Sequence, residues 1–138
     1  KVNYTIQTDA VKDYIIPHST LPVAKKSLEY AEEADVLNLA LFQCTAKQWR
    51  EANPQLALQG MNIRDIVSIN ELAVMSNLES ANADMMRNDI ARNIRFQKLY
   101  EIARYQLEIL NKQDFLKSIK KSSPEIYLED GSQNQLPE

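Results

Sequence analysis

From Ser68 to Leu110 the chain reads SINELAVMSNLESANADMMRNDIARNIRFQKLYEIARYQLEIL, and this stretch decides the fold. Ser68-Ile69-Asn70-Glu71 is a capping box: the Ser68 hydroxyl can accept from the amide of Glu71, and the Glu71 carboxylate can reach back to the amide of Ser68. Val74, Met75, Leu78, Ala81 and Met85 then keep the spacing of one helix face, which predicts a helix to about Arg87. Asn88 or Asp89 can break and recap the chain. Beyond them Ile94, Leu99, Ile102, Ala103, Gln106, Ile109 and Leu110 mark a second, longer amphipathic helix. At a rise of ~1.5 Å per residue it would span about 30 Å, the width of a small domain. Two such helices joined by so short a break predict an antiparallel hairpin.

Upstream, Thr8 to Ile16 reads as a short helix that Thr8 or Asp9 can cap and Pro17 stops. Val23 to Phe42 reads as a helix with the stripe Ala31, Ala34, Leu37, Ala40 and Leu41, leaving Lys25, Lys26, Glu29, Glu32 and Glu33 on the other side. Thr45-Ala46-Lys47-Gln48 is another capping box, opening a short helix that carries Trp49 and ends before Pro54. Gly60 closes that connection. Past Lys121, Ser122-Ser123-Pro124 ends helical character, and residues 130–135 are polar. The expected fold is therefore an all-α domain of about four to six helices built around the long hairpin, with a helical accessory domain over 1–121 and a polar tail over 122–138. No internal repeat is evident.

Composition narrows the function. Only two glycines occur, far below the average of about 7%, and all-β folds lean on glycine for their tight turns. Cys44 is the single cysteine, so an internal disulfide and a cysteine zinc site are both excluded, and a reducing cytoplasm is the expected setting. No apolar run approaches the ~20 residues that cross a bilayer, so no membrane contact is expected. The first residue is Lys rather than Met, which suggests a piece of a longer protein. A net charge of -3 gives no general attraction to nucleic acid.

Candidate chemistry is sparse. His18, the only histidine, lies in a loop between Pro17 and Pro22 with no second catalytic residue flanking it. Cys44 precedes a helix start, where a thiol pKa falls, but no motif surrounds it. Glu29, Glu32, Glu33 and Asp35 cluster on one helix and read as a solvated face, Lys25 and Glu29 forming an i,i+4 pair. A di-iron bundle would need Glu-x-x-His, which is absent, and neither glycine belongs to a phosphate-cradling loop. No catalytic residue, metal or cofactor is expected.

Two sets of residues are better candidates. Trp49, Arg50, Arg64, Asp65, Asn77, Glu79 and Asn82 interleave polar with core-forming positions. Arg64 or Arg50 paired with Asp65 or Glu79 would give a fold-specifying network, or the set would line a partner groove. Arg87, Arg92, Arg95, Lys98 and Arg104, beside Tyr100 and Tyr105, form a local basic patch that could meet phosphates. Arg92, Arg95 and Lys98 drift around the helix, however, and Asp84, Asp89 and Glu101 dilute them.

The run from Tyr30 to Phe42, then Thr45 to Arg50, Asn53-Pro54 and Asn62-Ile63-Arg64-Asp65, resembles the C-terminal region of bacterial and phage KilA-N domain proteins. Asn77-Leu78-Glu79-Ser80, Asn82-Ala83, Arg95-Phe96 and Gln106-Leu107 match the pattern of its last two helices, and Asn3-Tyr4 with Thr8-Asp9-Ala10 matches its entry. The resemblance covers about residues 1–110. Gln43 and Asn88 depart from it, standing where relatives tend to have Gly; both are helix-ending positions, where Asn tolerates the left-handed cap better than Gln does. In that family this helical region follows an N-terminal KilA-N module related to the APSES DNA-binding domain. The resemblance thus implies a non-enzymatic interaction or oligomerisation domain of a phage-type or mobile-element protein, with a possible homodimer, an unknown protein partner, and DNA bound through the separate module. The alternative is direct nucleic-acid binding through the basic patch.

Overall fold

The computed structural model describes residues 2–122, with side chains for residues 5–119. Seven α-helices follow in order: α1 (Val2–Ala10), α2 (Leu28–Phe42), α3 (Ala46–Ala52), α4 (Pro54–Leu58), α5 (Ile63–Ile66), α6 (Ile69–Arg87) and α7 (Arg92–Ser122). No strand occurs among the described residues. The all-α expectation holds, the count exceeding it because α3, α4 and α5 are separate short helices. Of the expected polar tail, residues 123–138 lie outside the described residues.

Helices α6 and α7 form the expected antiparallel hairpin. Asn77 Nδ2 donates to Gln106 Oε1 at 2.9 Å, and Asn70 Nδ2 donates to Asp114 Oδ2 at 2.7 Å and to Asn111 Oδ1 at 3.1 Å, which sets the register. The Ser68–Glu71 box starts α6 as predicted. The helix ends in a Schellman turn: Asp89 N–H donates to Met86 O, Ile90 N–H donates to Met85 O, and Asp89 takes the left-handed conformation at φ 57°. Asn88 keeps an ordinary φ of -95°, so the left-handed position falls one residue later than expected. The same turn recurs after α4, where Gly60 at φ 80° follows Gln59. At the end of α2, Gln43 is left-handed at φ 61°.

Helix α2 lies across the hairpin. Val36, Leu37, Ala40 and Leu41 from α2 meet Val74, Met75 and Leu78 from α6 and Leu99 and Ala103 from α7 in one buried cluster. A second cluster joins Ala10 and Val11 to Ala83 and Met86 of α6.

Three local expectations are corrected. Thr8 does not cap a helix: α1 already runs from Val2, and the Thr8 hydroxyl donates back to Thr5 O at 3.0 Å. The helix widens into a π turn over Val11–Ile15, where Ile16 N–H donates to Val11 O, before Pro17 enters a 3-10 turn. Val23–Lys25 is a separate 3-10 turn, so α2 begins only at Leu28, and Ala31 of the expected stripe is exposed. The inward face of α2 instead continues N-terminally from Leu37 through Glu33 and Glu29.

Candidate functional site

That continuation places two carboxylates against the hairpin. Glu33 is 0% exposed, and Arg95, 2% exposed, faces it from α7. Arg95 Nη1 donates to Glu33 Oε1 at 2.6 Å and Nη2 donates to Oε2 at 2.8 Å, a bidentate pair. Asn82 of α6 joins them: its Oδ1 accepts from Arg95 Nη1 at 2.8 Å, and its Nδ2 donates to Glu33 Oε1 and to Gln7 Oε1 of α1. Arg95 Nε donates to Ile90 O at 2.9 Å. The Schellman turn that ends α6 therefore aims the carbonyl that holds the arginine.

Arg92, one turn before Arg95, sits at the edge of this layer and meets three α2 carboxylates: Glu32 at 2.7 Å, Glu33 at 2.9 Å and Glu29 at 3.6 Å. Burial raises the proton affinity of Glu33, but the hydrogen bonds and charges of Arg95 and then Arg92 outweigh it and hold the carboxyl below its ordinary value. Burial would depress Arg92, yet Glu33 and its neighbours raise it instead. Asp35 is raised, first by burial and then by Glu32, with Arg50 opposing. Isolated buried charges are costly, and removing one member of such a pair destabilises by about 3–5 kcal/mol. Here helices α1, α2, α6 and α7 each contribute one polar side chain to a single matched layer.

The acidic cluster is thus a solvated face only in part: Glu32 is exposed and Asp35 half-buried, but the other two carboxylates turn inward. Glu29 and Glu33 are buried and answer arginines, and Glu29 pairs with Arg92 rather than with Lys25. The basic patch is dispersed for the same reason. Arg95 is buried, Arg92 is engaged by three glutamates, and Arg104 donates through Nη2 to Leu41 O at 2.7 Å while lying 5.3 Å from the Tyr100 ring centre. A cation at that carbonyl suits the negative end of α2. Arg87 pairs with Asp84, and Lys98 is exposed on α7.

The first set of candidates is divided among separate features. Arg64 Nη2 meets the buried Glu79 at 3.2 Å, one of the pairings the sequence left open. Asp65 instead closes a capping box with Asn62 at the start of α5. Asn77 bridges the hairpin, Asn82 belongs to the charged layer, Trp49 is buried in α3, and Arg50 is exposed. His18 is exposed beside a shallow groove of about 250 Å³, and Cys44 is half-buried. Among the described residues no cluster of His, Cys, Asp or Glu is placed to hold a metal, and no helix is long and apolar enough to cross a membrane.

Two surface features were not foreseen. A groove of about 700 Å³ between α1 with its π turn and the C-terminal half of α6 is lined by Ile6, Tyr14 and Ala81 together with Asp9, Asp13 and Asp84. On α7, Tyr105 near the middle (66% exposed) and Phe115 (64%) and Leu116 (46%) in the C-terminal half lie in the open. These features belong to an all-α domain with a charged internal layer and exposed apolar side chains on its longest helix. No protein-family model, curated protein or solved structure matches the chain.

Proposed function

We propose that this chain is a non-enzymatic oligomerisation domain that accompanies an N-terminal KilA-N DNA-binding module in a phage-type or mobile-element protein, acting in the cytoplasm as a homodimer. The observation that carries the reading is the apolar end of α7. Large apolar side chains gathered at one end of a helix mark association surfaces more often than scattered single ones do. The resemblance of the run from Tyr30 to Asp65 to KilA-N proteins points to the module it would accompany. Two DNA modules joined by a dimer gain effective concentration and a fixed half-site spacing.

Direct nucleic-acid binding is less well supported, because Arg92, Arg95 and Arg104 all have partners inside the fold. Sedimentation of the 138-residue chain across a wide concentration range tests the proposal. A reversible monomer–dimer equilibrium is expected; a monomer at every concentration would refute it.

A further inference from the structure

The four helices that meet at the charged layer are not held to it alike. Glu33 of α2 and Arg95 of α7 share a bidentate ion pair, and Asn82 of α6 accepts from Arg95 at 2.8 Å, so these three helices are joined through charge. Helix α1 joins through a neutral contact, Asn82 Nδ2 donating to Gln7 Oε1 at 3.1 Å. The same amide also donates to Glu33. With Gln7 gone, Glu33, Arg95 and Asn82 keep all their mutual bonds, and water can take the freed N–H. Without Glu33, by contrast, Arg95 is a buried charge that has lost its partner.

The apolar contacts divide in the same way. Nine buried residues of α2, α6 and α7 form the main cluster, whereas the cluster that holds α1 has four, of which Ala10 and Val11 come from the N-terminal arm itself. Beside that smaller cluster runs the groove of about 700 Å³, so the junction with α6 is open to solvent along one flank. Asp9 and Asp13 of the arm and Asp84 of α6 line this groove, and its one arginine, Arg87, pairs with Asp84. Among the described residues no ion pair ties the arm to α6.

The arm is also built to move as one body. Its backbone is helical without a break from Val2 through the π turn to His18. Residues 19–27 then lead to α2 by way of one 3-10 turn; none of them is buried, and their hydrogen bonds among the described residues are local. Segments with few buried contacts open at a lower free energy than the core they pack on.

We infer that residues 2–18 form a strap that lifts from α6 as a unit, hinged on residues 19–27, while α2, α6 and α7 stay locked by the charged layer. Lifting uncovers Asn82, Ala83 and Met86 of α6 and lets water reach the edge of the layer. This inference does not depend on the dimer reading.

Native-state hydrogen exchange of the full chain, followed by mass spectrometry in low concentrations of urea, tests it. Amides of residues 6–16 should exchange at least about tenfold faster than those at the centre of α6, with the weak urea dependence of a small opening. Val36→Ala, which thins only the main cluster, should speed exchange in α6 and α7 at least about tenfold. It should leave the rates of the arm unchanged, because the strap opens without disturbing Val36. If that variant does not fold, the wild-type rates and their urea dependence decide alone. An arm as protected as α6, or one that Val36→Ala accelerates in step with the hairpin, leaves only by global unfolding and would overturn the inference. An arm that exchanges at the rate of an unfolded chain would overturn it too, since a strap must be seated before it can lift.

Discussion

The two ends of the α6–α7 hairpin solve opposite problems. At the connected end, four helices converge on Glu33, Arg95, Asn82 and Gln7, and the charges that α2 and α7 bury are matched inside the fold. At the open end, α7 continues to Ser122 and leaves Phe115 and Leu116 exposed. Polarity is buried where the sequence reads as a solvated face, and apolar surface is exposed at the far end of the longest helix. The first end specifies how the helices register against one another; the second is available to a partner.

The largest expected effect lies in the charged layer. Glu33→Ala leaves Arg95 buried without its counter-charge and should destabilise by about 3–5 kcal/mol in urea denaturation. Replacing both partners, Glu33→Leu with Arg95→Met, should recover much of the loss, since an apolar pair avoids the unmatched charge. A double variant as unstable as the single one would show that the layer does more than match its own charges.

Acid should weaken the same end. Because the Glu33 carboxyl is held below its ordinary value of 4.5, the folded state binds fewer protons than the unfolded chain there. Its contribution is therefore complete above that value and lost as pH falls through the lowered one. In Glu33→Gln, thermal melts across the acid range should lose this component of the pH dependence.

Arg64→Ala gives an intermediate case. It strands Glu79, which is buried, but Arg64 is itself partly exposed, so the expected cost is about 1–3 kcal/mol in urea denaturation. Gln43→Gly, at the left-handed end of α2, should stabilise by up to about 1 kcal/mol by relieving backbone strain, read as a raised melting temperature. The smallest change in fold stability belongs to the open end. Phe115→Ser with Leu116→Ser should shift the unfolding free energy of the monomer by within about 0.5 kcal/mol.

The hairpin was legible because Val74, Met75, Leu78, Leu99 and Ala103 keep helical spacing and the Ser68–Glu71 box marks its start; all five are buried and the box forms. The charged layer was hidden by residue type. Glu33 lies four residues before Leu37, and Arg95 four before Leu99, so both continue a core face, but charged residues are seldom fully buried unless paired. The readable sign was complementarity: a glutamate on one face, an arginine on another and an asparagine at Asn82 on the third. The start of α1 was missed because Thr8 looks like a cap and instead satisfies its hydroxyl within the helix. Exposure of Phe115 and Leu116 depends on where α6 begins to cover α7, which spacing along one helix does not encode.

The contrast between the two ends is tested most directly by sedimentation equilibrium of Phe115→Ser/Leu116→Ser beside wild type, with the unfolding midpoint of each measured on the same samples. The account predicts a wild-type chain that dimerises and a variant that is monomeric yet equally stable as a monomer. A wild-type chain that never associates, or a variant that dimerises as tightly as wild type, would contradict it.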